Sequence, residues 1–264
     1  MKKSNPPHYR ARPVAIEPDA FLEYLGLRAE QVPHTVVLCF QGFAVRELVH
    51  RRQLIPFRLG TRKAYGLKGG NRRWAVLEPH GIGAPAAALT FEELVALGVR
   101  QVLTVGGAGA LQSELNLGDV VVCNRAHRDE GTSTHYLGSA SAKSLGLIHE
   151  SSMDQVGAAL DEARVEFRCG ATWTTDAPYR ETWDKVVEYQ RKGVLTVEME
   201  AAALLAVSHF RGVSLQPTFV ISDRLGAGYW QPGFREKIVA RSLVRLLETV
   251  CHYANQISRP RPSA

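Results

Sequence analysis

The chain has 264 residues, 45% of them hydrophobic and 22% charged, which is ample for one large core and ordinary for a water-soluble globular protein. Its net charge of +6 comes from scattered basic residues, with adjacent pairs such as Arg51-Arg52, Arg62-Lys63 and Arg72-Arg73 but no longer basic run. With no aromatic ladder between them, this pattern argues against a nucleic-acid surface. Four widely separated cysteines lack metal-ligand or Cys-x-x-Cys spacing, the first twelve residues are polar and Pro-rich rather than a signal peptide, and no apolar run nears the ~18 residues that span a membrane. The expectation is a reduced, cytoplasmic protein with no metal, membrane or nucleic-acid partner.

Residues 1–33 read as an N-terminal arm with one short apolar patch from Phe21 to Leu27. A buried strand over Thr35–Phe40 stops at Gln41-Gly42, and a helix follows through Arg46 and Val49. A second strand over Arg73–Leu77 runs into the loop Glu78-Pro-His-Gly-Ile-Gly83. Pro85 to Gly98 has helical spacing, with Pro in the first turn and Gly as C-cap. Strands follow at 101–105 and 119–123, a helix at 153–163, a strand at 167–175 and a helix at 179–191. A strand-helix-strand run spans 194–222, and a long amphipathic helix at 235–256 closes the domain. The domain is expected over 34–257, with a disordered tail at 258–264. Alternation of strands and helices predicts a single-domain, three-layer α/β/α sandwich around a mixed, partly barrel-like sheet.

The chemistry concentrates at strand ends. Gly106-Gly107-Ala108-Gly109 follows an apolar strand but does not fit a dinucleotide fingerprint, because Gln112 stands where the third glycine belongs. A glycine turn there still lets backbone N–H groups approach a ligand. Glu198-Met199-Glu200 sits where a short strand meets an Ala/Leu-rich helix, and Ser222-Asp223 ends a neighbouring strand. Acids delivered by two adjacent strands at their carboxyl ends point to a pocket at the top of an α/β sheet, able to hold hydroxyls and exchange a proton.

Taken in order, several segments resemble the purine nucleoside phosphorylase and uridine phosphorylase superfamily: Gly42-Phe-Ala-Val-Arg46, His80-Gly-Ile-Gly-Ala-Pro85, Val105-Gly-Gly-Ala-Gly109, Gly118-Asp-Val-Val-Val122, Thr175-Asp176, Val197-Glu-Met-Glu-Ala-Ala202 and Ser222-Asp223. The resemblance implies cleavage of a nucleoside N-glycosidic bond by phosphate, giving free base and ribose 1-phosphate with no cofactor. It places Glu198, Met199 and Glu200 around the ribose, with Glu200 on its 2′- and 3′-hydroxyls, and Tyr24 of a neighbouring subunit at the 5′ end. Asp223 becomes the acid at purine N7, with Ala108, Gly109, Tyr179 and Ser222 at the base. The phosphate falls to Gly42, Arg46, Gly107 and an Arg58 contributed across a subunit interface, which implies a homo-oligomer, a dimer-based trimer or hexamer.

Departures from the family pattern keep alternatives open. Phe43 replaces an acid of the first loop, Thr104 a phosphate-binding Arg, and Gly107 that Arg's hydroxyl partner. A nucleosidase using water, with Glu47 as its base, is therefore the first alternative, and a non-catalytic nucleoside-binding protein another. Purine is favoured over uridine because the segment Pro178-Tyr-Arg-Glu-Thr-Trp183 lacks the Gln/Arg pair of the uridine-type branch, which also lacks the acid found here as Asp223.

Overall fold

The computed structural model describes residues 14–27, 33–59, 62–68, 73–138, 144–145, 150–226 and 228–258. Most of the expected disordered tail, and the part of the arm before residue 14, lie outside these residues. In chain order the elements are α1 (Pro18–Tyr24), β1 (Thr35–Cys39), α2 (Gly42–His50), β2 (Leu54–Leu59), β3 (Arg62–Leu67), β4 (Trp74–Leu77), α3 (Ala84–Leu97) and β5 (Gln101–Ala110). There follow β6 (Val120–Asp129), α4 (Ser133–Leu137), β7 (Ser144–Leu145), α5 (Glu150–Glu162), β8 (Phe167–Thr175) and α6 (Trp183–Arg191). The chain ends with β9 (Thr196–Glu198), α7 (Ala201–Arg211), β10 (Ser214–Gly226), β11 (Tyr229–Pro232) and α8 (Lys237–Ile257).

β1 is buried along its whole length, because helices cover the sheet on both faces. It lies parallel between β4 and β5. The β2–β3 pair extends this side antiparallel. On the other side β5 pairs with β10 as well as β9, β10 with β6, β6 with β8, and β8 with β9. These pairings return to their starting strand, so five strands form a closed ring at one end of an otherwise open sheet. The expected three-layer sandwich with a partly barrel-like sheet describes this arrangement.

Residues of α2, α5 and α8 pack on one face and of α3, α4 and α7 on the other. The Ala-rich faces of α3 and α7, with Ala87, Ala88, Ala202 and Ala206 buried, allow these two helices to lie side by side. α3 ends as the sequence indicates: Gly98 takes φ 109° and its N–H reaches back to the carbonyls of Leu94 and Val95. Among the described residues, no helix is long and apolar enough to cross a membrane.

Several boundaries differ from expectation. The β2–β3 hairpin and β11 carry mixed, half-exposed residues and little apolar periodicity, so their pattern gave no strand signal. The glycine cluster at 106–109 is not a turn after β5 but its second half, paired with β10 throughout and with β9 at Gly109. The expected helix at 179–191 breaks into a 3-10 turn, Pro178–Arg180, and α6, whose N-cap is Thr182. Trp173 is fully buried against Tyr189, with ring centroids 4.6 Å apart.

Phe91 is fully buried between α3 and its neighbours. Phe91→Ala is expected to lower the unfolding free energy by ~3–5 kcal/mol, measured by urea denaturation.

Candidate active site

A cavity of about 590 Å³ opens where β5, β9 and β10 end. Its walls include Glu198, Met199 and Glu200 from the β9–α7 junction, Ser222 and Asp223 from β10, Gly106 to Gly109 from β5, and Tyr179 from the 3-10 turn. The expected sugar and base residues therefore share one space, apart from Tyr24.

Gly109 is the pivot. It pairs with Val197 of β9 on one side and Asp223 of β10 on the other. A Cβ at this position would sit 2.7 Å from Leu225 Cδ1 and 3.1 Å from both Asp223 Oδ2 and Val197 Cγ1. Only a residue without a side chain lets the two acid-bearing strands close on β5 here. One step earlier the register of β10 shifts between Ile221 and Asp223, so Ser222 is a bulge residue. Bulges bend a strand and re-aim side chains, and this one turns Asp223 to the cavity. The Ser222 hydroxyl donates to Asp223 Oδ1 at 2.8 Å, and the Trp230 indole N–H of β11 donates to Oδ2 at 2.8 Å. Both carboxylate oxygens are held before any ligand arrives.

The two glutamates of β9–α7 do different work. The backbone N–H groups of Glu200 and Ala201 both donate to Glu198 Oε2 at 2.7 Å, while the hydroxyls of Thr174 and Thr172 donate to Oε1. Thr174 in turn accepts from the N–H of Ala202. Glu198 thus holds the start of α7, where unpaired N–H groups favour a carboxylate. Glu198, expected to line the sugar pocket beside Glu200, is thus a carboxylate already engaged by protein donors. Glu200 accepts from the Gly83 N–H at 2.7 Å, which ties it to the loop after β4. Burial raises the pKa of both carboxyls, and in Glu198 the neighbouring Glu200 charge adds to it.

Other expected residues lie outside the cavity wall. Arg46 is exposed on α2, but Gly42 leaves room for its end group: a Cβ on Gly42 would lie 3.1 Å from Arg46 Nη1 and would collide with the Glu78 carboxylate. Glu47 faces Arg51 at 2.8 Å on the outer side of α2 and does not reach the cavity. Arg58 is exposed on β2, and Tyr24 is 84% exposed at the end of α1. Arg62, a possible substitute for Arg58, is engaged by Glu93, by His80 and by the carbonyl of Glu78. The same Glu93 holds His80 at 2.8 Å, so His80 serves the loop rather than the cavity.

The polar run 128–133 is also internal scaffolding. Arg128 bonds Ser133, Asp129 takes the Trp173 indole and Lys185, and Asp176 accepts from the Gly131 N–H. Its density reflects an intricately bonded turn without cavity contact.

Sequence reasoning missed Gln41, Glu181, Trp183, Phe219 and Trp230, all in the cavity wall. Gln41 had a signal, since it directly follows a buried strand. Trp230 had a weaker one in the Gly-Ala-Gly turn that precedes it. Glu181 had none, because only the fold brings it toward Asp223. Burial first, then the charge of Asp223, raises Glu181 to about 7.

The division between the glutamates is testable. Glu198→Ala leaves two backbone N–H groups and two hydroxyls without their acceptor, and is expected to destabilise the fold by at least ~2 kcal/mol. Glu200→Ala, which removes the acceptor of the Gly83 and Met199 N–H groups only, should cost less, about 0.5–1.5 kcal/mol. Urea denaturation of the two variants measures both.

A family model described as the phosphorylase superfamily matches residues 35–252. A guanosine phosphorylase of Halorubrum lacusprofundi is 32% identical over 148 residues, 56% of this chain and 60% of that protein. A DeoD-type purine nucleoside phosphorylase of Bacillus cytotoxicus is 28% identical over 152 residues, 56% of this chain and 63% of that protein. The chain thus spans about three fifths of the length of the curated relatives it matches. The purine nucleoside phosphorylase of Toxoplasma gondii, solved in complex with immucillin-H, superposes with a TM-score of 0.75 at 18% identity, covering 89% of this chain and 95% of that one. The P. knowlesi homologue of P. falciparum PNP gives 0.70 at 20% identity, covering 89% and 93%. These two likenesses establish the shared fold. The match over 35–252, which contains every strand from β1 to β11 and every wall of the cavity, places this chain in the phosphorylase superfamily.

Proposed function

We propose that the chain is a purine-preferring nucleoside phosphorylase, transferring ribose from a nucleoside to phosphate. The observation that carries this reading is one cavity that holds Glu200 and Asp223 on strands joined through Gly109. The names of the relatives, guanosine phosphorylase and purine nucleoside phosphorylase, support it.

Glu200 accepts hydrogen bonds from the ribose 2′- and 3′-hydroxyls, and Met199 packs under the ring. As the C1′–N9 bond breaks, its electron pair moves to the base, and a proton held between Asp223 and N7 offsets that charge. Phosphate attacks C1′ from the side of Gly42 and Gly107, whose backbone amides and Arg46 supply donors and charge. Arg58 and Tyr24, both exposed, complete the phosphate and 5′ ends from a second copy in a homo-oligomer. Gly107 has little spare room, since a Cβ there would meet Ser222 Oγ at 3.2 Å and Gln41 Nε2 at 3.3 Å. Gln41 and Ser222 therefore stand where the family's hydroxyl would project. The reading needs no cofactor beyond phosphate as co-substrate and fits a cytoplasmic enzyme.

Incubation with guanosine or inosine should release free base only when phosphate is present, with ribose 1-phosphate as the second product. Turnover at an unchanged rate without phosphate, yielding free ribose, would refute the proposal. Asp223→Asn is expected to lower kcat by ~10²–10⁴-fold. Gly109→Ala, by pushing Asp223 off its position, should lower kcat/KM by ~10–10²-fold while the chain remains folded by circular dichroism.

A further inference from the structure

Asp223 reaches the cavity from β10, and β11 lies antiparallel beside it. The register sets Asp223 opposite Pro232 and Leu225 opposite Trp230. Trp230 is therefore the diagonal neighbour of Asp223 on one face of the ribbon, a separation that a long aromatic side chain spans. Its indole N–H donates to Asp223 Oδ2 at 2.8 Å, while its ring stands half exposed in the cavity wall, with its centroid 6.2 Å from that of Phe234. On the other side the Ser222 hydroxyl donates to Oδ1 at 2.8 Å and lies 3.3 Å from the Ala108 carbonyl.

These two donors are not equivalent. A hydroxyl has one hydrogen and also accepts, so Ser222 can turn its hydrogen to Ala108 and receive one from Oδ1. An indole N–H only donates. While Trp230 stays in place, Oδ2 is held as an acceptor, and a proton on Asp223 is left with Oδ1.

Resting on the reading of Asp223 as the acid at the base, we propose that Trp230 is a positioning residue that assigns this proton to Oδ1 and tightens its hold on Asp223 as the proton leaves. In the reaction a phosphate oxygen bonds to C1′, the C1′–N9 bond breaks, its electron pair enters the purine, and N7 takes the proton from Oδ1. Asp223 is left as a carboxylate. A hydrogen bond to a carboxylate is roughly twice as strong as one to a neutral acid, so the Trp230 contact strengthens along this path. An interaction that is stronger in the transition state than in the bound nucleoside acts on turnover more than on binding.

Trp230→Phe keeps an aromatic ring in the wall and removes the N–H. With guanosine or inosine and saturating phosphate it should lower kcat about tenfold and leave the nucleoside KM within about twofold. In an Asp223→Ala background the same substitution should cost no further activity, because the group through which it acts is gone. An unchanged kcat, a loss that appears in KM alone, or losses that add in the double variant overturn the proposal. A second measurement needs no turnover. In protein labelled on the indole nitrogens of its four tryptophans, the resonance missing from Trp230→Phe is that of Trp230, and the other three control for folding. Asp223→Ala should move the Trp230 N–H proton upfield, as loss of a charge-assisted hydrogen bond requires, and an unmoved resonance overturns the proposal. A chain that phosphorolyses no nucleoside fails the phosphorylase reading, while the resonance still reports whether Trp230 holds Asp223, so the two readings fail separately.

Discussion

The whole site depends on a close approach of three strands at Gly109. β9 and β10 both pair with β5 at this residue, with Asp223 opposite it on β10 and Glu198 one residue beyond it on β9. Side-chain atoms of Leu225, Val197 and Asp223 already occupy the space a Cβ would need. The missing side chain therefore sets the distance between Glu198 of β9 and Asp223 of β10 in the cavity wall. The closed ring of five strands follows from the same contact, since the pairing of β5 with β9 returns the ring to its start.

Around that contact the protein holds its acids before a ligand binds. Asp223 is fixed from two sides by Ser222 and Trp230, Glu200 by Gly83, and Glu198 by the first amides of α7 and two threonines. Orienting charged groups in advance is the general means by which a site avoids reorganisation during reaction. Burial works against those charges, and it raises Glu181, Glu198 and Glu200 together. The cavity is thus a place where negative charge is costly.

On the proposed reading, phosphate is served from the rim. Arg46 lies on the exposed side of Gly42, and Arg58 lies on a strand at the far edge of the sheet. On that reading, holding cations outside the cavity wall separates the two substrates by charge. It also gives Glu78, beside Gly42 and Arg46, a direct influence on that rim.

Much of this was legible from residues alone. Apolar runs marked β1, β4, the first half of β5, β8 and α8, and the order of short motifs carried the family and the acids of the site. Those signals are local: a buried strand needs a continuous apolar run, and a helix needs its period and its caps. The sequence could not show that Glu198 and Glu200 divide their roles, because both stand in the same three-residue motif and only the N-terminus of α7 and the threonines of β8 distinguish them. Nor could it show Glu181 and Asp223 in one cavity wall, the bulge at Ser222 or the indole of Trp230 on Asp223, since each depends on segments distant in the chain. Sequence by itself determined which chemical groups the protein carries and which elements bear them. The tertiary structure decided which groups share a space, because pairing on both sides of Gly109 is a property of three strands at once.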